Sequence, residues 1–324
     1  PYWASGPLRL SESGLEPGAT HRYRVAAVDG DGNRAFSAWA QVVVADKLES
    51  GYANAVLDAG PAVYWPFEEP SGEVTADWAG GFDGLVSDGV TLDQPGAIVG
   101  DPRRSFGFDG ASDGLVATQN PVAGPQVFTA ETWFRTTSPA GGKILGFGNR
   151  SSAESSNYDR HLYVRSDGRL AFGVYPGSTK VVASDSQVND GEWHHAVATL
   201  GPNGQQLYVD GQLVGANAAV TSAQDYQGYW RVGGDQLNGW PQKPSSNYLR
   251  GDIDEVAIYD RVLSPAEIIE HFQWGTGNPP NAAPSPAFST AVTNLEVAFD
   301  ATGSVDPDGT IAAYDWSFGD GASA

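Results

Sequence analysis

The chain has 324 residues, 41 Gly, 21 Pro, no Cys and no Met, and its 39 acidic against 18 basic side chains give a net charge of −21. Without Cys there are no disulfides, thiolate nucleophiles or Cys-ligated zinc sites. Without a Lys/Arg cluster there is no basic footprint for nucleic acid, and no apolar run reaches the length of a membrane span.

In chain order, residues 15–44 (LEPGATHRYRVAAVDGDGNRAFSAWAQVVV) open with a corner at Leu15, Pro17 and Gly18. A strand alternating through Tyr23, Val25 and Ala27 follows, then a turn at Asp29-Gly30-Asp31-Gly32-Asn33. From residue 47 to 275 short strand-like runs recur between turn residues: Val63–Phe67, Ser105–Phe108, Leu115–Thr118, Thr129–Thr136, Lys143–Phe147, His161–Arg165, Leu170–Val174, Tyr229–Val232 and Gly251–Tyr259. Residues 191–215 (GEWHHAVATLGPNGQQLYVDGQLVG) add two hairpins, because Asn203-Gly204 and Asp210-Gly211 tolerate the positive φ of tight turns. A short helix is predicted after Ser264, its N-cap, with Pro265 at the first position and Glu267 completing a capping box. Its Ile268, Ile269 and Phe272 are expected to pack on a sheet. Residues 276–286 form a Pro-rich linker, and residues 287–324 return to a strand-and-turn pattern.

The fold class is therefore all-β, with a central two-sheet antiparallel jelly roll. The Trp-His-His-x-Val-Ala strand with its Tyr-Val-Asp-Gly turn resembles the laminin-G-like, concanavalin-A-like domain. So do RSFGFDGASDGLVAT (104–118), FTAETWFRT (128–136) and LRGDIDEVAIYDRVLSPAEI (249–268). Residues 1–46 resemble the C-terminal part of a fibronectin type III domain, with Tyr23 at the tyrosine corner. Residues 287–324 resemble the N-terminal part of a PKD domain, through Phe299-Asp300, Asp306-Pro307-Asp308-Gly309 and Trp316-Ser317-Phe318-Gly319-Asp320-Gly321. Partial immunoglobulin-like sandwiches thus flank the jelly roll. The missing Met and the cut modules lead us to expect neighbouring domains of a longer secreted or surface-displayed chain.

Asp252 and Asp254 lie two apart on one strand and share a face. The resemblance implies a calcium ion held by such final-strand acids together with an early Asp loop. Here that loop holds Asp77 and Asp83, with Trp78-Ala79-Gly80 in place of the usual Ser-Gly-Asn. The metal candidates are Asp77, Asp252 and Asp254, with calcium as cofactor. The alternative is that amides or Arg satisfy these acids. Asp109 and Asp113 are read as turn residues, and His194 and His195 as packed or hydrogen-bonded on opposite faces. Arg250-Gly251-Asp252 spells an adhesion tripeptide but runs into a strand.

Aromatic faces with polar neighbours suit carbohydrate, and Tyr158, Arg160, Tyr229, Trp240 and Tyr248 are the ligand candidates. The alternative places Trp240 over a sheet edge. The Glu-x-Asp-x-x-Glu run of a jelly-roll glycosidase is missing, as are a nucleophile elbow, P-loop and dinucleotide fingerprint. The expected function is a non-catalytic extracellular binding or adhesion module for glycan or polymer. The alternatives are an accessory region of a larger secreted carbohydrate-active enzyme or protease, and a ligand-free stalk.

Overall fold

The computed structural model describes residues 19–43 and 50–317. The chain divides into two compact units after Gly277. The Leu15–Gly18 corner and the Phe318–Gly321 end of the PKD-like motif lie outside the described residues.

Two antiparallel sheets face each other in the first unit. One runs in the order Lys180–Gln187, Arg169–Val174, Tyr158–Val164, Gly142–Gly148, Gln227–Val232, Val116–Thr118, Gly84–Val86, Val74–Thr75, and we call it the groove sheet. The other runs Gln212–Asn217, Gly204–Val209, His194–Gly201, Phe128–Arg135, Arg250–Tyr259, Arg104–Asp109, Val90–Pro95, with Val63–Trp65 paired to Arg250–Tyr259; we call it the helix sheet. Between them Trp65, Phe106, Phe128, Phe134, Phe147, Phe172 and Trp230 form the core. Each such buried side chain contributes about 1.5–3 kcal/mol of hydrophobic stabilisation.

Phe128–Arg135 explains the architecture in one strand. Phe128, Ala130 and Phe134 enter the core, while Glu131 and Trp133 point to the opposite side. That side is covered by helix Gly51–Asp58 and helix Pro265–Gly275, which bring Tyr52, Val56 and Ile268. A strand covered on both faces reads as nearly continuous apolar sequence rather than as alternation. The capping box of the second helix forms as the spacing predicted, with Ser264 and Glu267 exchanging bonds. Ile268 packs as expected, but Ile269 is 40% exposed, and His271 takes the inward position instead.

The first helix escapes a periodicity reading because it is eight residues long and Ala-rich. Strands Val74–Thr75, Gly84–Val86, Val90–Pro95 and Lys180–Gln187 also went unpredicted; they are short or polar edge strands. Outside the sandwich, Thr20–Tyr23 pairs with Ala40–Val43, and Ala26–Val28 with Arg34–Phe36. In the second unit Ser289–Thr293 and Glu296–Asp300 form a hairpin beside an aromatic trio of Phe288, Phe299 and Trp316. The Pro-rich stretch predicted as a spacer is tied into this unit, since Ser285 bridges Val305 and the Ala282 amide donates to Asp308.

Candidate functional site

The outer face of the groove sheet carries the candidate site. Residues 233–249 fold back over it, pinned where the Tyr158 and Tyr163 hydroxyls donate to the carbonyls of Asn238 and Pro241, each at 2.9 Å. Trp240 packs edge-on against His161 at 4.5 Å between ring centroids and lies over Gly173. Glycine is required there, because a Cβ would stand 2.3 Å from the indole.

Beside this loop runs a groove of about 320 Å³. Tyr158, Tyr175 and Trp240 supply its aromatic faces, and Asn157, Gln224 and Asn238 line it with polar groups. Tyr175 is 36% exposed. The sequence reading missed it, although an aromatic ahead of Pro176-Gly177 is the signal of a ring at a turn.

The five predicted ligand residues separate. Tyr158 and Trp240 line the groove, but Trp240 is only 5% exposed, so its body belongs to the loop's packing. Arg160 is a correction: it is buried, with its guanidinium bonded to Asp159 at 2.5 Å and to the carbonyls of Pro125 and Gln224. A buried guanidinium must spend its donors internally, and Arg160 thereby positions Gln224 rather than meeting ligand. Tyr229 stands opposite Gly148 in its strand and is not a groove residue. Tyr248 lies against Gly234, also away from the groove lining.

The three predicted metal ligands have separate partners. Asp77 accepts the backbone N–H groups of Tyr64, Ala79 and Phe82, organising its own loop. Burial pushes its carboxyl up, against those hydrogen bonds. Asp252 pairs with Arg135 at 2.7 Å. Asp254 accepts from the amides of Ala97 and Glu255. Asp252 and Asp254 do share the outer face, as alternation predicted, but among the described residues no group of three or more His, Asp or Glu is placed to hold a metal. A bulge was not foreseen: one extra residue enters between the Glu131–Ala257 and Trp133–Asp254 pairs, with Glu255 at φ 53°. It turns Glu255 outward beside Asp254. Burial raises Glu255 to about 8, although Arg103 opposes the shift.

Both histidines of the Trp-His-His strand are hydrogen-bonded. His194 meets Asp210 at 2.8 Å, and His195 meets Glu131 at 2.7 Å. Asp109 caps its turn through the Ala111 amide. The Arg250-Gly251-Asp252 tripeptide lies in a strand, along an end pocket of about 500 Å³ with Arg135, Thr136 and Ser138. No aromatic ring lines that pocket.

The family model described as the concanavalin A-like lectin/glucanases superfamily matches residues 109–269, and that of the PKD domain matches residues 278–324. The chain carries a concanavalin A-like domain followed by a PKD domain. The groove, with Tyr158, Tyr175 and Trp240, lies wholly within the matched part of the concanavalin A-like domain. No curated protein matches the chain. Among solved structures, a Trypanosoma rangeli sialidase is 17% identical with a TM-score of 0.46, covering 66% of this chain and 32% of that one. The botulinum neurotoxin type G receptor binding domain is 13% identical with a TM-score of 0.47, covering 67% and 54%. The binding domain of paraclostridial mosquitocidal protein 1 is 12% identical with a TM-score of 0.49, covering 75% and 63%. This chain spans about a third of the sialidase's length.

Proposed function

We propose that this chain is a non-catalytic binding region of an extracellular protein, and that a carbohydrate or similar polymer lies in the groove of Tyr158, Tyr175 and Trp240. One observation carries the reading: partly exposed tyrosine rings and the polar groups of Asn157, Gln224 and Asn238 converge on one concave surface. A sugar's C–H face stacks on such rings while its hydroxyls bond the amides. The lectin-type family of the domain supports this reading. No carboxylate lines the groove, whereas glycoside hydrolysis uses two, and this supports binding without turnover. The PKD domain that follows fits a binding or accessory region, including one that serves a larger secreted enzyme. The reading includes residues 1–46 as the C-terminal part of a fibronectin type III domain, supported by the pairing of Thr20–Tyr23 with Ala40–Val43.

A glycan array tests the proposal. The wild-type chain is expected to bind a restricted set of saccharides. Tyr175→Ala should weaken that binding by about 1–3 kcal/mol, the scale for a lost aromatic anchor, while leaving the melting temperature unchanged. Arg250→Ala, at the end pocket, should change nothing. Binding that survives Tyr175→Ala and Tyr158→Ala but is lost with Arg250→Ala would move the site to the end pocket and refute the groove.

A further inference from the structure

Beneath the 233–249 loop lies a group of polar side chains that the groove does not use. Lys143, His161, Arg231 and Asp235 are at most 1% exposed. They are contiguous: Lys143 Nζ is 3.7 Å from Asp235 Oδ2, and Arg231 Nη1 is 3.6 Å from Asp235 Oδ1, both outside hydrogen-bond reach. His161 Nδ1 and the Lys143 stem flank Gly146, where a Cβ would stand 2.9 and 3.2 Å from them. A Cβ on Gly148 would stand 2.2 Å from Asp235 Oδ2. Glycines thus make room on this face for polar groups rather than for apolar packing.

Several of those polar atoms lack a hydrogen-bond partner: both nitrogens of His161 and Arg231 Nε and Nη2 have none, while Lys143 Nζ and Asp235 Oδ2 have only each other, at ion-pair distance. Arg231 Nη1 is spent on the carbonyls of Arg150 and Ala153, and Asp235 Oδ1 accepts from the amides of Ser155 and Gln236. Each buried polar atom without a partner costs about 1–3 kcal/mol, so this many at one spot call for an occupant. Two features decide which kind. Lys143 and Arg231 against Asp235 leave one positive charge in excess among the buried groups; Glu154 is at the rim, exposed, and bonded to Gln236 and Asn247. The unspent atoms are also mostly donors, since an ammonium carries only N–H groups and a guanidinium accepts nothing. Water bonded to donors must find acceptors for its own hydrogens, and few are present here. An anion accepts only, and restores neutrality.

The geometry points to a buried anion site in which Lys143, Arg231 and His161 hold one small monovalent oxyanion of the carboxylate type. Burial pulls the Lys143 ammonium down to about 8 despite Asp235. The anion arrives either as a free ion or as the acidic substituent of a saccharide. The second source rests on the groove reading, because Tyr158 stands over Lys143, 5.9 Å from Nζ, and also lines the groove.

The test uses the full chain at constant ionic strength in a zwitterionic buffer. Its melting temperature is followed with sodium acetate, with a uronate oligosaccharide and with the matching neutral oligosaccharide. Acetate or the uronate should raise it by about 5–10 °C at a hundredfold excess over Kd. Stabilisation by acetate identifies a free ion; stabilisation by the uronate alone identifies a sugar substituent. Lys143→Met should abolish the response, and it removes a buried charge without a change of bulk. Asp235→Asn, which adds to the positive excess, should tighten anion binding about tenfold. A wild-type melting temperature indifferent to both acetate and the uronate would overturn the site, as would equal anion responses in wild type, Lys143→Met and Asp235→Asn. Failure of the groove reading is separable, because the acetate arm needs no saccharide.

Discussion

Glu131 holds the helix side of the domain together. Its carboxylate accepts from His195, His271, Tyr259 and Tyr52, drawn from two strands and two helices. Burial opposes its ionisation, but the His271 charge and the two histidine hydrogen bonds outweigh that and hold it well below the usual carboxylate range. Glu131→Ala leaves four buried polar groups without an acceptor and should cost about 3–5 kcal/mol, the scale for breaking a buried charged pair; urea denaturation measures it. Glu131 was invisible as a functional position because a single Glu inside an apolar run carries no periodic signal. The predicted metal acids are the opposite case, since their residue types were legible but their partners were not. Calcium at Asp77, Asp252 and Asp254 is a proposal that requires the Asp77 and Asp254 amide bonds and the Asp252–Arg135 pair to be given up. With those partners retained, removal of divalent ions by a chelator should leave the melting temperature unchanged. A fall restored by calcium and not by magnesium would return the ion to this site.

At the level of elements, strand pairing was legible from turn chemistry, and loop placement was not. The Asp210-Gly211 hairpin forms as predicted, with Val209 opposite Gln212, whereas the first turn sits one residue earlier than predicted, at Pro202-Asn203, because Gly201 pairs with Gly204. The 233–249 loop has no such code. Its position follows from Trp240 meeting a glycine three strands away from the loop's own strand, Gln227–Val232. Trp240→Ala, which the sequence alone marks as a binding test, is therefore a packing test. Gly173→Ala is the cleaner one: its new Cβ would displace the indole, at a cost of about 1–3 kcal/mol for overpacking. Faster hydrogen exchange over residues 235–243, with the rest of the groove sheet unchanged, is the expected result.

For the whole molecule, buried acids set the dependence of stability on pH. Burial raises Glu255 to about 8 and Glu68 to about 7, from the ordinary glutamate value of 4.5. The folded state holds these protons after the unfolded chain has released them, so stability falls as pH rises from 4.5 through those values. His271, raised by Glu131 against the effect of burial, acts in the same direction above 6.5. Glu131 and Glu267 are depressed, the latter to about 2 chiefly by its bond to Arg261, so their contribution is lost as pH falls below 4.5. The melting temperature should peak at about pH 5 and decline towards pH 8, and Glu255→Gln should flatten that decline.

The jelly-roll class and the PKD resemblance were legible in the sequence because turn dipeptides and strand motifs are local. The groove was half legible: all five candidates were named from aromatic rings among polar loop residues, and Tyr158 and Trp240 line the groove whereas Arg160, Tyr229 and Tyr248 do not. The most direct test of the groove as the binding surface is hydrogen-exchange protection of the full chain with a saccharide found on the array. Protection confined to residues 156–158, 175–179 and 238–240 is the predicted result. Protection at residues 135–139 and 250–252 instead, or none at saturating ligand, would contradict it.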